Sequence, residues 1–472
     1  MESKQCSASR ELVINTIIFG IGTLASKIIM FMLLPIYTAY MTTSELGTGE
    51  LVVNCMNLLY PIATINIITA MLRYAMDVKS DKKKVLQNTF IVTLIGIMVV
   101  AMSMFVINLQ SSINKWKVYL LLLLFWYSLE QILSVFSKAL DKTKIFAIGN
   151  IIYTLSLFII SSILLSVFHR GTAGYLEGMI LANIITFLYY IKALNIGQYI
   201  TLGKIDKRLI KEMVFFSIPL IINSISWWIT SFCDRFVLEL YLGTNSVGIY
   251  SVASKIPAIV STVASVFMQA WVLSAIKEYQ SGGESGFFDS VFRKFSALFI
   301  SWAAITICLC KFLMAFLANG DFLKSWIYAP LLLCAAVFSG FGNFYAALYT
   351  SAKKNTSVMI TTICGAVVNI VLNFILIPNM GIQGAVIATM ISQLVVVLFR
   401  MIDSRRFIIF RVDYIRLSIT VLLLLFESYN LLYCENMIFA VIICFIVLII
   451  YFVEIKQLII KMIKSVERII IK

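Results

Sequence analysis

The sequence predicts an all-α membrane protein in which a bundle of transmembrane helices has been duplicated. Hydrophobic residues make up 61% of the 472 residues and charged residues only 13%, and the mean hydropathy is +0.96. Soluble domains carry about 25% charged residues, so most of this chain is expected to lie in lipid. A backbone in lipid must satisfy its own hydrogen bonds, which favours helices. Two pairs of similar segments indicate the duplication.

About fourteen apolar stretches have the length that a helix needs to cross roughly 30 Å of hydrocarbon. They lie near residues 12–34, 46–72, 86–108, 117–139, 145–168, 173–194, 212–237, 246–275, 292–317, 326–350, 356–377, 381–402, 414–433 and 436–455. The longest connections, 195–211 and 278–291, are far shorter than the ~50 residues of a small domain. The sequence therefore predicts no soluble catalytic domain.

The duplication is indicated by two echoes. The segment YMTTSELG, from Tyr40 to Gly47, is matched by YLGTNSVG, from Tyr241 to Gly248, at an offset of 201 (241 − 40). The segment GTAGYLEGMI, which begins at Gly171, is matched by GIQGAVIATM, which begins at Gly381, at an offset of 210 (381 − 171). Both pairs lie between apolar stretches, so the copied unit is predicted to be a helix bundle, and such repeats usually meet at a substrate path.

Residues 1–200 and 201–410 are predicted to form one six-helix lobe each, and residues 411–472 a C-terminal helix pair with a basic tail. Lys and Arg are unevenly distributed, with 30 in the alternate connections that include both termini and six in the others. Positively charged loops stay in the cytoplasm, so both termini are expected there. The net charge of +15 is explained by this topology and by anionic lipid headgroups, and nucleic-acid binding is not expected.

Metal and enzymatic chemistry are not expected. The only histidine, His169, follows an apolar stretch beside Arg170, where a solvated interfacial residue is the simplest interpretation. The nine cysteines have no metal-ligand spacing and are interpreted as small packing residues. The sequence therefore predicts a protein without metal or cofactor that is not an enzyme.

Polar residues inside the predicted spans recur at three- and four-residue spacing, which places them on one helix face around a shared wet interior. The candidate substrate-binding residues on these faces are Lys27, Glu50, Asn54, Asn57, Trp228, Lys255, Thr262 and Gln269. Lys27 and Lys255 are each predicted about 12 Å below an outer helix end. A charge at that depth faces water or a partner, so these lysines either attract an anionic substrate, pair with an acid or extend to the interface.

Further polar residues and two prolines are candidates for coupling and movement. Asp234 and Arg235 are interpreted as a gate, a helix-terminal salt bridge or an ion-coupling site rather than as direct substrate contacts. Glu130 is interpreted as either a buried ion-pair partner or a proton or cation site. Pro61 and Pro257 fall within polar spans, where proline interrupts the helical hydrogen bonds, and are either hinges or static kinks.

Three segments resemble the polysaccharide flippases of the multidrug, oligosaccharidyl-lipid and polysaccharide exporter superfamily. They are LPIYTAYMTTSELGTGELV from Leu34, DRFVLELYLGTNSVGIYSVASKI from Asp234 and SAKKNTSVMITTICGAVVNIVLNFILIPNMGIQGAVIATMIS from Ser351. The resemblance implies two six-helix lobes that form a V around a central cavity, with an added thirteenth and fourteenth helix. It covers nearly the whole chain.

The resemblance also implies a function. A polyprenyl-diphosphate-linked oligosaccharide repeat unit would be moved from the inner to the outer leaflet of a bacterial cytoplasmic membrane, by alternating access, for O-antigen, capsule or other surface polysaccharide. Lys27 and Lys255 would receive the diphosphate, and the polar faces would meet sugar hydroxyls. The protein would work as a monomer, with coupling to a proton or sodium gradient and contacts with polysaccharide assembly proteins left open.

Two alternatives stay open at this point. A cation-coupled multidrug exporter of the same superfamily would share the lobes, but would offer acids to cationic drugs. A membrane glycosyltransferase or polysaccharide polymerase would be expected to carry a large outer loop with acidic motifs, which this sequence does not contain.

Overall fold

The computed structural model describes residue 26 and residues 29–77, 80–106, 111–199, 206–281, 285–352, 354–408, 410–434, 436–458 and 460. Helices make up nearly all of these residues, and no strand occurs among them. Lys27, the first of the predicted cavity lysines, lies outside the described residues.

The described residues include eighteen helices. They are α1 (Ile29–Tyr40), α2 (Thr43–Ala63), α3 (Ile67–Met76), α4 (Lys82–Val106), α5 (Ser111–Asn114), α6 (Lys117–Ala139), α7 (Thr143–Ser166), α8 (Gly171–Leu194), α9 (Lys207–Leu242), α10 (Thr244–Ala253), α11 (Lys255–Gln280), α12 (Ser285–Leu317), α13 (Ala329–Ser351), α14 (Asn355–Met380), α15 (Ile382–Ser404), α16 (Tyr414–Tyr433), α17 (Met437–Ile450) and α18 (Phe452–Leu458).

Within the described residues, ten helices are long and apolar enough to cross a membrane. The number is twelve if the bent pairs α2–α3 and α17–α18 each count as one span. The helices expose apolar side chains, as a lipid environment allows. On α14, for example, the exposed fractions of Ile360, Val367 and Val371 are 53%, 54% and 50%. The prediction of an all-helical multi-pass fold is confirmed, whereas the count of fourteen, the V-shaped cavity and the lobe limits stay predictions.

The chain divides into two compact units. Unit 1 consists of Met1–Trp228 and Gly243–Gly248, and unit 2 consists of Ile229–Leu242 and Ile249–Lys472. The long helix α9 therefore contributes its first part to unit 1 and its last part to unit 2.

Each unit has its own apolar core. In unit 1, fully buried side chains such as Met71, Leu133 and Phe136 bring α3 and α6 together with α4, α8 and the start of α9. In unit 2 the core is aromatic, because Trp271 of α11 stacks on Phe344 of α13 with ring centroids 4.3 Å apart. Large stacked rings bury more surface than aliphatic side chains and fix their neighbours' orientation.

The second sequence echo marks a helix hairpin in each unit. Gly171 begins α8 with a φ of +50°, and Gly381 lies between α14 and α15 with a φ of +61°. Glycine adopts this left-handed conformation without the steric cost that other residues meet. Gly384 packs so closely on the previous helix that a Cβ would lie 2.4 Å from the Leu376 carbonyl oxygen. The echo therefore encodes the tight turn of a hairpin.

The first echo marks two helix starts that contact each other within unit 1. A Cβ on Gly47 would lie 1.9 Å from the carbonyl oxygen of Thr244, and a Cβ on Gly248 would lie 2.0 Å from that of Thr43. The Ser44 and Thr244 hydroxyls are 2.7 Å apart. The two glycines are equivalent in the repeat, so the contact is reciprocal and depends on the absence of a side chain at both positions.

The two candidate hinge prolines lie at helix breaks, but in different ways. Pro61 is near the end of α2, and α3 follows at an angle of 54°. Ile65 and Asn66 in the break have φ values of 50° and 52°, a conformation that is strained for a β-branched residue such as Ile65. Pro257 is in the first turn of α11, where proline is tolerated, and not in a helix interior as expected. Movement at either proline stays a prediction.

Candidate functional site

Two adjoining cavities in unit 2 form the candidate site. The first, of about 190 Å³, is lined by Asp234, Arg235, Tyr250, Ser254, Pro257, Ser261, Leu332, Ala335, Ala336, Ser339, Thr389 and Gln393. The second, of about 370 Å³, is lined by Ser261, Ala264, Ser265, Met268, Val272, Phe299, Ala336, Ser339, Gly340 and Asn343. Because Ser261, Ala336 and Ser339 belong to both linings, the two cavities adjoin along α11 and α13.

Asp234 is the charged centre of the first cavity. It lies on α9, its exposed fraction is 2%, and its carboxylate collects hydrogen bonds from three other helices. Asn373 of α14 donates to Oδ1 at 2.5 Å. Tyr250 of α10 and Thr389 of α15 donate to Oδ2, each at 2.6 Å. A buried carboxylate is stabilised only by such donors or by an opposite charge.

Arg235, the next residue, places a buried cation at the same cavity wall. Its exposed fraction is 7%, and its Nε donates to the Ser251 hydroxyl at 3.2 Å. The guanidinium also lies over the rings of Phe232 and Tyr250, 5.3 and 5.5 Å from their centroids. Aromatic faces attract a cation, so two ring faces and a hydroxyl group hold the Arg235 guanidinium next to the buried acid in the chain.

The amides behind Asp234 contain atoms without partners. Asn373 donates to Oδ1 of Asn369 at 3.1 Å, while Oδ1 of Asn373 and Nδ2 of Asn369 are buried without a hydrogen-bond partner among the described residues. An unmade buried hydrogen bond costs about 1–3 kcal/mol. Carboxylate, amide and hydroxyl oxygens thus lie together where a small cation or a proton would satisfy them.

Unit 1 contains two buried acids in aromatic surroundings. Glu130 on α6 has an exposed fraction of 5% and accepts a hydrogen bond from Gln131 at 3.0 Å. Within the described part of unit 1 it forms no ion pair, and both interpretations of Glu130 stay predictions. Glu50 on α2 accepts a hydrogen bond from the Tyr175 hydroxyl at 3.4 Å.

The predicted substrate-binding residues lie in several places. Lys255 is half-buried and begins α11, next to the cavity residue Ser254. Thr262 lies farther along α11, but its hydroxyl donates to the Ala258 carbonyl in its own helix at 2.8 Å. Gln269 lies on α11, and its side chain is outside the described part of the structure.

The unit 1 candidates are mostly buried. The indole N–H of Trp228 donates to the Asn54 carbonyl oxygen at 2.9 Å, and the Trp228 exposed fraction is 8%. Trp228 is therefore packed within unit 1 in this conformation. The Asn54 side-chain Nδ2 is buried without a partner among the described residues, while Asn57 is half-buried.

Several cavity residues were not predicted from the sequence. These are Ser261 on α11, Ser339 and Asn343 on α13, and Thr389 and Gln393 on α15. Two of the pairs are four residues apart, a spacing that puts both members on one helix face. This spacing is the signal in the sequence that could have identified them.

The described residues contain no group of three or more His, Cys, Asp or Glu side chains that could hold a metal ion. Any cation at Asp234 would therefore be bound by one carboxylate together with amide and hydroxyl oxygens, a set that suits a hard, weakly charged ion.

The helical architecture is that of a multi-pass membrane protein, and its fold is shared by solved structures of a lipid flippase and of drug transporters. The chain superposes on the lipid II flippase MurJ in an inward closed conformation, with a TM-score of 0.71, 15% identity, and coverage of 95% of this chain and 100% of that one. It also superposes on an inward-facing multidrug MATE transporter of the MOP superfamily, with a TM-score of 0.63, 15% identity, and coverage of 81% and 95%.

Residues 12–273 match the family described as polysaccharide biosynthesis protein, and the chain belongs to this family. The resemblance inferred from the sequence is thereby confirmed. The structures that share its fold are transporters and flippases rather than enzymes, in agreement with the prediction of a non-enzymatic protein. A membrane protein of Methanocaldococcus jannaschii, MJ1068, is 26% identical over 297 residues. That match spans 58% of this chain and 57% of the relative.

Proposed function

We propose that this protein is a flippase that moves polyprenyl-diphosphate-linked oligosaccharide units from the inner to the outer leaflet of the cytoplasmic membrane. The units would be used in surface polysaccharide biosynthesis. The observation that carries the proposal is the pair of adjoining cavities in unit 2, with the buried cation of Arg235 at the wall of the smaller one. The family match supports the polysaccharide pathway.

The cavity has the chemistry that this cargo needs. Each sugar hydroxyl costs about 4–8 kcal/mol to transfer into an alkane without a hydrogen bond, so a lipid-linked sugar crosses only where polar groups replace water. Ser261, Ser339 and Asn343 provide such groups. Arg235 supplies positive charge for the diphosphate, and Lys255, one residue beyond Ser254, is placed to add a second cation.

Asp234 is proposed to bind the coupling ion, a proton or a sodium ion. Its carboxylate joins α9, α10, α14 and α15 through Asn373, Tyr250 and Thr389. An ion that neutralises Asp234 changes the charge beside Arg235 and so changes the attraction of the cavity for an anionic cargo. Ion binding and cargo binding are thereby linked, as alternating access requires.

The test is a leaflet assay in proteoliposomes with a fluorescent polyprenyl-diphosphate oligosaccharide. The wild-type protein is expected to move the label between leaflets. Lys255→Gln is expected to move it about tenfold more slowly, the effect of losing one charge-assisted hydrogen bond. Lys277→Gln removes an exposed lysine from the same helix and is the matched control, with an unchanged rate.

A rate that is the same with and without the protein would refute the proposed function. Equal rates for Lys255→Gln and Lys277→Gln would refute the role of Lys255. The flippase proposal itself would then depend on whether the wild-type protein moves the label.

A cation-coupled multidrug exporter is the second candidate, because a buried acid such as Asp234 also suits a cationic drug. Efflux of a cationic dye driven by an ion gradient, with no leaflet movement of the lipid-linked sugar, would favour this candidate. The converse result supports the flippase.

A further inference from the structure

A third cavity in unit 2 lies apart from the polar cavity described above. It has a volume of about 380 Å³, and its lining includes three arginines: Arg293 of α12, Arg411 of the segment that leads into α16, and Arg416 of the first turn of α16. Asp289 and Asp413 also line it. None of its lining residues belongs to the Asp234 cavity.

Both aspartate side chains accept hydrogen bonds from backbone N–H groups. Asp289 accepts a hydrogen bond from the Arg411 backbone N–H at 2.6 Å, and Asp413 caps α16 by accepting from the Arg416 backbone N–H at 3.0 Å. A carboxylate used as a helix cap is stabilised where it stands. The acids therefore fix the backbone of the cavity.

One of the three arginines is held in an ion pair, and the other two are exposed. Arg416 forms a two-pronged ion pair with Glu454, at 2.6 and 2.9 Å, and its guanidinium lies 4.5 Å from the centroid of the Tyr451 ring. Arg293 and Arg411 are exposed. Within the part of the chain that the structure describes, neither guanidinium forms a hydrogen bond or ion pair.

The cavity lies at one end of a helix that is long enough to span a membrane. The α16 helix has 20 residues, about 30 Å and so the thickness of the hydrocarbon, and the cavity surrounds its first turn. On the opposite wall, α17 ends at Ile450 and the chain turns by 66° into α18. The α18 helix exposes Phe452 and Val453, each 62% exposed, with Lys456 also exposed, which is typical of a helix in the membrane interface.

We propose that this cavity binds a phosphoryl group, that of an anionic phospholipid headgroup at the membrane boundary. Arg293 and Arg411 are the ligands, because a guanidinium matches two phosphate oxygens at once. Arg416 and Glu454 hold the wall. Lipid binding here clamps α12 to α16 and the α17–α18 bend, and it does not depend on the proposed transport function.

The experiment uses the full-length protein in nanodiscs of phosphatidylcholine. Phosphatidylglycerol is titrated in, and bound lipid is measured by native mass spectrometry. The double variant Arg293→Gln with Arg411→Gln is expected to weaken phosphatidylglycerol binding at least about tenfold, since it removes two charge-assisted contacts. The matched control, Arg406→Gln with Lys277→Gln, removes two exposed cations outside the cavity and is expected to bind as the wild type does.

Equal affinities of the double variant and the control would overturn the proposal. Glycerol 1-phosphate, added as a soluble phosphoryl group, is expected to displace little lipid, and displacement at the lipid's own binding concentration would overturn the assignment to a lipid. The single variants Arg293→Gln and Arg411→Gln are measured in parallel. If the double variant does not fold, unchanged binding in both single variants contradicts the proposal, and weaker binding in each supports it.

Discussion

The two units share their turns but differ in how they surround a buried acid. In unit 2, Asp234 receives hydrogen bonds from an amide, a phenol and an alcohol on three other helices, at the wall of an open cavity. In unit 1, Glu130 receives one hydrogen bond from the adjacent Gln131. Glycines at equivalent positions, Gly171 and Gly381, form the hairpin turns of both units.

Under the proposed function, this difference is a division of tasks between two copies of one helix bundle. Turn glycines are retained in both copies because a side chain at a positive φ would strain the fold wherever it occurred. A ligand site needs only one copy, so the polar residues around the acids are free to diverge. The unit with convergent oxygen atoms, unit 2, is the one suited to bind an ion.

The largest effect is expected from Asp234→Asn. The amide keeps the volume of the side chain but removes the charge and replaces one acceptor oxygen by a donor. Transport driven by a cation gradient is expected to fall about 100-fold, as it does when a metal-binding site loses an important ligand. The rate is measured in proteoliposomes with an imposed sodium or proton gradient.

Asp321→Asn is the control for Asp234→Asn, because Asp321 is an exposed carboxylate of the same unit and its substitution is expected to leave the rate unchanged. Full gradient-driven transport by Asp234→Asn would remove the assigned difference between the two units.

An intermediate effect is expected from the glycines of the first echo. Gly47→Ala and Gly248→Ala each place a Cβ about 2 Å from a backbone carbonyl oxygen across the same contact. Each is expected to lower the free energy of unfolding by about 1–3 kcal/mol. The double variant is expected to cost less than the sum by at least about 0.5 kcal/mol, because the first clash already separates the two segments.

The glycine prediction is checked by denaturant unfolding in detergent. Gly197→Ala is the control, since no atom lies within 4 Å of a Cβ there. Strictly additive costs for Gly47→Ala and Gly248→Ala would show that the two positions do not share one contact.

The sequence allowed the helical fold and the turns to be predicted because both depend on local rules. Apolar length defines a span, and paired glycines define the hairpins at Gly171 and Gly381. The break between α2 and α3 was predicted only in part: Pro61 indicates an interrupted helix and Asn66 is a residue type that tolerates a left-handed backbone, whereas the β-branched Ile65 disfavours it. Tertiary packing imposes that conformation.

The site was harder to predict than the fold. A stripe of Ser and Thr on a helix does not by itself indicate a wet face, since a hydroxyl can bond to its own helix, as Thr262 does to the Ala258 carbonyl. Arg400 illustrates the opposite error. An arginine near the end of a predicted span is expected at the membrane surface, yet Arg400 is 5% exposed and donates to Thr361, Thr362 and the Gly342 carbonyl. Only the packing of α13, α14 and α15 shows this role.

The smallest effect is expected from Glu130→Gln in unit 1. The substitution keeps the volume of a buried side chain that has no ion pair among the described residues, and it removes the cost of burying an ionisable group. The free energy of unfolding is therefore expected to change by less than about 1 kcal/mol. Transport driven by either a sodium or a proton gradient is expected to continue at close to the wild-type rate, because the proposed ion site, Asp234, belongs to unit 2. The two gradients are imposed separately on the same proteoliposomes, with Gln131→Leu as a control that removes the hydrogen-bond donor and keeps the acid.

If Glu130→Gln stopped transport as completely as Asp234→Asn under both gradients, the two acids would act as one coupled system. The units would then not be divided in the way that the surroundings of their acids indicate.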